Sequence, residues 1–239
     1  MCSIRRFLFG GSLFSLSLVA CSSDQIGIPE AELSPSETTP GTQPMASFVW
    51  QLPASMPNAV RAAAAVWDGS RLYVLGGDAG AASPTTLNQI YNPTTDSWTL
   101  GAGFAGARDF AAAAALADGV HLVGGAGAAG VLANHRLYKR SGNTWSARAP
   151  LRTAVDAPVA QAVGGKLYVI GGGSTSGPTG AVQIFNSATN SWTFGAPMPT
   201  PRLSAASAKI AGKIYVAGGQ TAGIGTTAAL ERYDPATNT

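Results

Sequence analysis

Charge is what this sequence has least of. Asp, Glu, Lys and Arg make up 11% of its 239 residues, against about 25% in ordinary soluble domains, so ion-pair networks and charged catalytic clusters have little material to draw on. Cysteine is nearly absent. Cys2 and Cys21 are the two in the chain, which excludes disulfides, zinc thiolate sites and Cys nucleophiles from everything after residue 21. Histidine is limited to His121 and His135; no His pair or carboxylate cluster has metal-ligand spacing, and neither a metal nor a cofactor is expected. The apolar stretch Phe7 to Ala20 has 14 residues, too few for a helix that needs about 20 to cross a bilayer. The 30 Gly and 15 Pro stay below the roughly 25–30% that marks low-complexity chains. A folded domain with a sizeable core is the default.

What is present begins with a basic n-region (Arg5, Arg6), the short apolar stretch and then Cys21, the order of a secretory signal peptide. Leu18-Val19-Ala20-Cys21 resembles the bacterial lipobox. That resemblance implies cleavage after Ala20, a diacylglyceryl group on Cys21, and a mature chain anchored to a membrane without spanning it. The expected location is the bacterial cell envelope, with Ser22 rather than Asp after the cysteine favouring the outer membrane or cell surface. Residues 22–47 carry Pro, Ser, Thr and four acids with no base, a composition that cannot bury a core. We read 1–20 as signal, 21–47 as lipidated cysteine and tether with a reach of about 30 Å, and 48–239 as the folded domain. Loss of Arg5 and Arg6 takes the net charge from +3 to +1, and setting aside the four tether acids leaves +5 on the domain. An anionic partner is suggested, and export argues against nucleic acid.

The domain is repetitive. Strand-like runs end in paired glycines at Gly76 and Gly77, Gly124 and Gly125, Gly171 and Gly172, and Gly218 and Gly219, spaced by 48, 47 and 47 residues. The pairs are expected to take positive φ and to let backbones approach where a Cβ would clash. An aromatic follows in each unit (Tyr91, Tyr138, Phe185, Tyr233), and seven residues later a tryptophan (Trp98, Trp145, Trp192). Glycine pair, aromatic and tryptophan at this period resemble the kelch repeat, the four-stranded blade of an all-β propeller. The resemblance covers 48–239 and puts blades at about 55–100, 101–148, 149–197 and 198–239. Strand b is the run before the glycines, strand c carries the aromatic, and strand d starts at the tryptophan. The alanine runs at 62–65 and 111–115 have helical propensity, but their place in the repeat makes them the innermost strand a; a short surface helix is the alternative. Trp50, 48 residues before Trp98, marks a strand d at 48–53 whose own blade does not precede it. Three readings follow: a C-terminally truncated propeller, a four-blade ring closed by pairing Trp50's strand with Tyr233's, or completion by oligomerisation.

In kelch propellers the partner usually binds where loops enter strand a and leave strand b. Carried over residue by residue, this face receives Arg61, Arg108 and Arg202, fifteen or sixteen positions before a glycine pair, and Asp78 and Gln220 just after one. Arginines suit carboxylate-bearing ligands, so the expected partner is a protein, an acidic peptide or an acidic glycan; the bland reading is that they cap turns. Asp109 and Asp156 are weak candidates for an acid or base. His121 replaces the tyrosine of strand b (Tyr73, Tyr168, Tyr215) and is expected to be packed; His135 is expected in solvent. Galactose oxidase, a kelch enzyme, needs a Tyr–Cys crosslink at its copper, and the mature domain has no such cysteine. The leading expectation is a binding or scaffold module rather than an enzyme, with a sugar-directed enzyme like the sialic acid mutarotases as the alternative.

Overall fold

The structure is a computed structural model and describes residues 52–80 and 83–239. The signal, Cys21, the tether and Trp50 lie outside the described residues.

Among the described residues four antiparallel sheets of three or four strands follow one another, with two small two-stranded sheets beside them. Blade one has β1 (Ala64–Trp67), β2 (Leu72–Leu75), β3 (Asn88–Asn92) and β4 (Ser97–Leu100) in that order. Blade two has β5 (Ala112–Leu116) and β6 (Gly119–Val123), a short hairpin of β7 (Ala126–Gly127) and β8 (Gly130–Val131), then β9 (His135–Lys139) and β10 (Thr144–Arg148). Blade three repeats this with β11 (Val159–Val163), β12 (Lys166–Ile170), the hairpin β13 (Gly173–Ser174) and β14 (Gly177–Pro178), β15 (Val182–Asn186) and β16 (Ser191–Gly195). Blade four has, among the described residues, three strands, β17 (Ala206–Ile210), β18 (Lys213–Ala217) and β19 (Leu230–Tyr233). The arrangement is an all-β four-blade propeller. Both alanine runs are strands, because the innermost strands β1, β5, β11 and β17 lie each beside the next and small side chains let their backbones approach. Tertiary packing overrides the helical propensity.

The core is not central but lies in the seams between blades, one apolar cluster per seam. Tyr73, Leu75, Phe104, Leu122 and Tyr138 share the first, Val123, Val155, Leu167, Phe185 and Trp192 the second, and Ile170, Met198, Ile214, Val216 and Tyr233 the third. No single blade buries both of its faces alone, which is why repeats of this kind depend on nearest neighbours.

A hydrogen-bonded lock recurs in each blade. The turn between strands c and d places Asp96, Asn143, Asn190 and Asn238 in the left-handed region, with φ of 44°, 47°, 48° and 58°. Their Oδ1 atoms accept the backbone N–H of Ala54, Ala102, Ala149 and Ala196, each in the segment that leads into the blade concerned. The same atom accepts the hydroxyl of Tyr91, Tyr138 or Tyr233 at 2.6–2.8 Å; Phe185 has no hydroxyl to give. The indole Nε1 of Trp98, Trp145 and Trp192 donates to the carbonyls of Ala54, Ala102 and Ala149, each at 2.7 Å. The repeated aromatics thus bind each blade to the chain that enters it, and Asx residues suit the turn because they tolerate left-handed φ.

Candidate ligand-binding face

The face at the mouth of the axis is built by one bridge per blade. The residue leading into strand a pairs with the residue after the glycine pair: Arg61 with Asp78, Asp109 with Ala126, Asp156 with Gly173 and Leu203 with Gln220. The second glycine of each pair makes room for that bridge. Gly77, Gly125, Gly172 and Gly219 have φ of 88°, 95°, 101° and 105°, and a Cβ on any of them would stand 2.6–2.7 Å from the carbonyl oxygen of Arg61, Asp109, Asp156 or Leu203 respectively. That position requires glycine twice over, for its backbone angle and for its space. The first glycine faces the following blade instead: a Cβ on Gly76, Gly124 or Gly171 would strike the carbonyl oxygen of Arg108, Val155 or Arg202.

The bridged positions are structurally equivalent, so the preceding positions are too: Val60, Arg108, Val155 and Arg202. Arg108 and Arg202 therefore stand one residue out of step with Arg61. In extended chain one residue reverses the side chain, so Arg61, Arg108 and Arg202 do not share the face expected of them.

The buried arginines are structural. Arg108 is 0% exposed and spreads its guanidinium over the carbonyls of Gly106, Gly124 and Asn134 at 3.1–3.3 Å, beside the Phe104 ring. Burial, with a smaller contribution from Arg136, pulls its pKa down to about 10. Arg202 is 1% exposed, pairs with Glu231 at 3.0 Å and donates to the Val216 carbonyl. Neither can meet a ligand, which corrects the expectation for both. Arg61 is exposed and forks onto Asp78, Nε and Nη2 both reaching Oδ2 at 2.9 and 2.7 Å. That hydrogen bond, with others from Gly80 and Ser83, holds Asp78 below the usual carboxylate range. Gln220 is half-buried and tied through its backbone to Leu203 and Thr226.

The two aspartates do come together, at matching places in adjacent blades. Burial raises the pKa of Asp156, backbone N–H groups of Asp156 and Gly173 offset this in part, and the charge of Asp109 raises it further. The Asp156 carboxylate lies directly over the Gly173 Cα, where a Cβ would strike Oδ1. Directly after Asp109 comes a residue that the sequence did not single out, Phe110. It is 46% exposed at φ +49°, where the other blades carry Ala62, Ala157 and Ser204, all left-handed as well. A bulky residue in that region is an outlier. It is held there from both sides: its N–H donates to the Ala62 carbonyl and its carbonyl accepts from Ala157 N–H. Ala157 continues the chain to Ser204, so one row of backbone hydrogen bonds crosses all four blades around the axis. The fifteen-residue spacing shared by Arg61, Asp109, Asp156 and Leu203 to the first glycine was the signal that marks this row.

His121 is packed as expected, at 0% exposure, but His135 is buried too, at 2%; it lies in a seam and not in solvent.

The kelch motif model matches residues 60–104, 158–199 and 201–239, more than half of the chain. This is a kelch-repeat protein. The match omits blade two, whose strand b reads His-Leu-Val where its siblings have an aromatic-aliphatic run. No curated protein matches the chain in sequence. Among solved structures the kelch propeller resembles the structure of YjhT, with a TM-score of 0.67 and 18% identity, covering 76% of this chain and 64% of that one. At that identity the likeness establishes the fold, and the chain spans less than two thirds of the length of that structure.

Proposed function

We propose that the kelch domain is a binding module whose axial face takes a hydroxyl-bearing glycan or protein segment without net negative charge. The observation that supports this is the juxtaposition of Asp109, exposed Phe110 and Asp156 on adjacent blades. Carboxylates accept hydrogen bonds from ligand hydroxyls or ammonium groups, and a rigidly displayed aromatic offers an apolar platform. The withdrawal of Arg108 and Arg202 and the pairing of Arg61 with Asp78 remove the support for an acidic ligand. Calorimetry with neutral, basic and acidic oligosaccharides and peptides tests the reading. Phe110→Ala, and separately Asp109→Asn combined with Asp156→Asn, should each weaken binding at least tenfold in a folded protein; binding that survives both, or that prefers acidic ligands, overturns it.

A second reading is a sugar-directed acid–base enzyme of the kind the mutarotase resemblance implies, favoured by the raised pKa of Asp156, since a carboxyl tuned upward is better matched to proton transfer near neutral pH. NMR exchange between sugar anomers, lost in Asp156→Asn, would support it. The reading also places the module at the cell envelope on lipidated Cys21. Labelled fatty acid should enter the wild type and not Cys21→Ser; equal labelling would sink the anchor.

A further inference from the structure

Blade two departs from the repeat at two touching places. Where blade one carries Tyr73 and Asn88, it carries His121 and His135. The substitutions build a continuous chain across the seam to blade three. Asp118 Oδ1 meets His121 Nε2 at 2.9 Å, His121 Nδ1 meets His135 Nε2 at 2.8 Å, and His135 Nδ1 meets the Ala149 carbonyl at 3.2 Å. Blade three closes over it: the Phe185 and Trp192 rings pack edge-on against His135, the Ser187 hydroxyl donates to Asp118 Oδ2 at 2.6 Å, and the Trp192 indole donates to the same Ala149 carbonyl. The charged groups facing the pair are Asp118, from the turn between β5 and β6, and Arg148, at the end of β10 and 3.9 Å from Asp118.

Counting hydrogens defines what the chain tolerates. It has three gaps and an acceptor at each end, while two neutral imidazoles supply two N–H groups. The third gap is filled by one added proton, giving an imidazolium balanced by Asp118. A second added proton would set two N–H groups against each other across the 2.8 Å gap with one carboxylate to balance two cations, a burial cost that pairing no longer offsets.

We propose that Asp118, His121 and His135 form an acid-sensitive latch, which joins blades two and three while at most one imidazole is charged and opens when acid charges both. Burial, the largest cause for each ring, lowers both histidines, His135 to about 3 with the His121 charge adding to the effect. Burial opposes ionisation of Asp118, but hydrogen bonds from Ser187 and His121 outweigh it and leave its pKa lowered. The sign follows: with folded values below the ordinary histidine value of about 6.5, the unfolded chain binds more protons in acid. The stabilisation is whole above about pH 6.5 and is lost as pH falls toward the folded values, by tenfold in the folding equilibrium per pH unit for each proton the fold excludes.

The test uses the full chain and the double variant H121Y with H135N, which installs blade one's own pair. Between pH 6.5 and 4.5 the wild-type folding equilibrium, from urea titrations, should fall at least tenfold more than that of the variant; parallel curves overturn the latch. Histidine ring NMR on the wild type decides independently of whether the variant folds. At least one of the two rings should stay uncharged until the seam opens, with hydrogen exchange rising first in β9, β10, β15 and β16 and last in β2 and β3. Two rings that charge near pH 6.5 with protection unchanged, or a loss of protection that is uniform across blades, would refute it.

Discussion

Blades three and four read almost alike in sequence and differ in what their shared residues meet. In blade three the neighbouring blade supplies a partner for each repeated group. Gly172 N–H donates to the Arg202 carbonyl, a Cβ on Gly171 would lie 2.6 Å from that same oxygen, and Trp192 is 5% exposed and edge-on to His135 of blade two. In blade four Gly219 keeps its close approach to the Leu203 carbonyl within the blade, but among the described residues a Cβ on Gly218 would meet nothing nearer than the Thr227 carbonyl at 3.7 Å. Strand β17 is largely exposed where β11 is half-buried, and Ile210 and Leu230 stand 56% and 66% exposed. A cavity of about 220 Å³ lies beside Ala196, Met198, Val216 and Tyr233, next to an Ala196 carbonyl that receives no indole among the described residues. The same consensus residue is thus a packing necessity or a bystander according to the blade beside it, because in a repeat protein most stabilisation sits at the interfaces.

The sharpest way to break that comparison is to make blade three resemble blade four. Trp192→Ala opens in the second seam a hole like the one at Met198 and removes the bond to Ala149; it should cost about 3–5 kcal/mol in urea denaturation. A loss under 1 kcal/mol would mean that the indole is not what holds the seam. Glycine substitutions separate steric demand from backbone preference. Gly218→Ala should cost only the left-handed penalty of about 1–2 kcal/mol, whereas Gly171→Ala adds overpacking of roughly 1–3 kcal/mol against the next blade. Equal thermal shifts in the two variants would show that the approach of blade four to Gly171 is immaterial. The smallest effect concerns the face, where Asp156 stands at the position of Leu203. Since folding raises the Asp156 pKa, its contribution is most favourable below the unfolded value of about 3.9 and is lost as pH rises through the folded value. Asp156→Asn should therefore stabilise slightly at pH 7, within about 0.5 kcal/mol, and not at pH 3; the reverse pH trend would contradict a raised pKa.

Much of the fold was legible because the period of 47–48 residues is a global signal, strong enough to turn two alanine runs from helix to strand. The glycine pairs were legible as places of positive φ and close approach, and Gly77, Gly125 and Gly219 meet that expectation; what each first glycine meets depends on the blade beyond it. The face was legible only in part. Asp109 and Asp156 were singled out and do converge, but Arg108 and Arg202 were counted with Arg61 although their spacing to the glycines differs by one, and one residue decides between a guanidinium on the surface and one sealed among carbonyls. His135 was misread for a related reason. A polar residue early in strand c is solvated or buried according to what the next blade lays over it, and here that is Phe185 and Trp192.

Residue by residue, the sequence determined the repeat, its turns and the positions of glycine, aromatic and tryptophan, since these follow from local geometry and from spacing along the chain. Which arginine is interior, where Phe110 is displayed, and that two histidines meet nose to tail were decided by tertiary structure alone. Each depends on the register between strands and the stacking of one blade on another, and burial and electrostatics act on groups brought together across 14 residues in the case of His121 and His135 and 31 in the case of Thr200 and Glu231, distances over which no local pattern in the chain carries information.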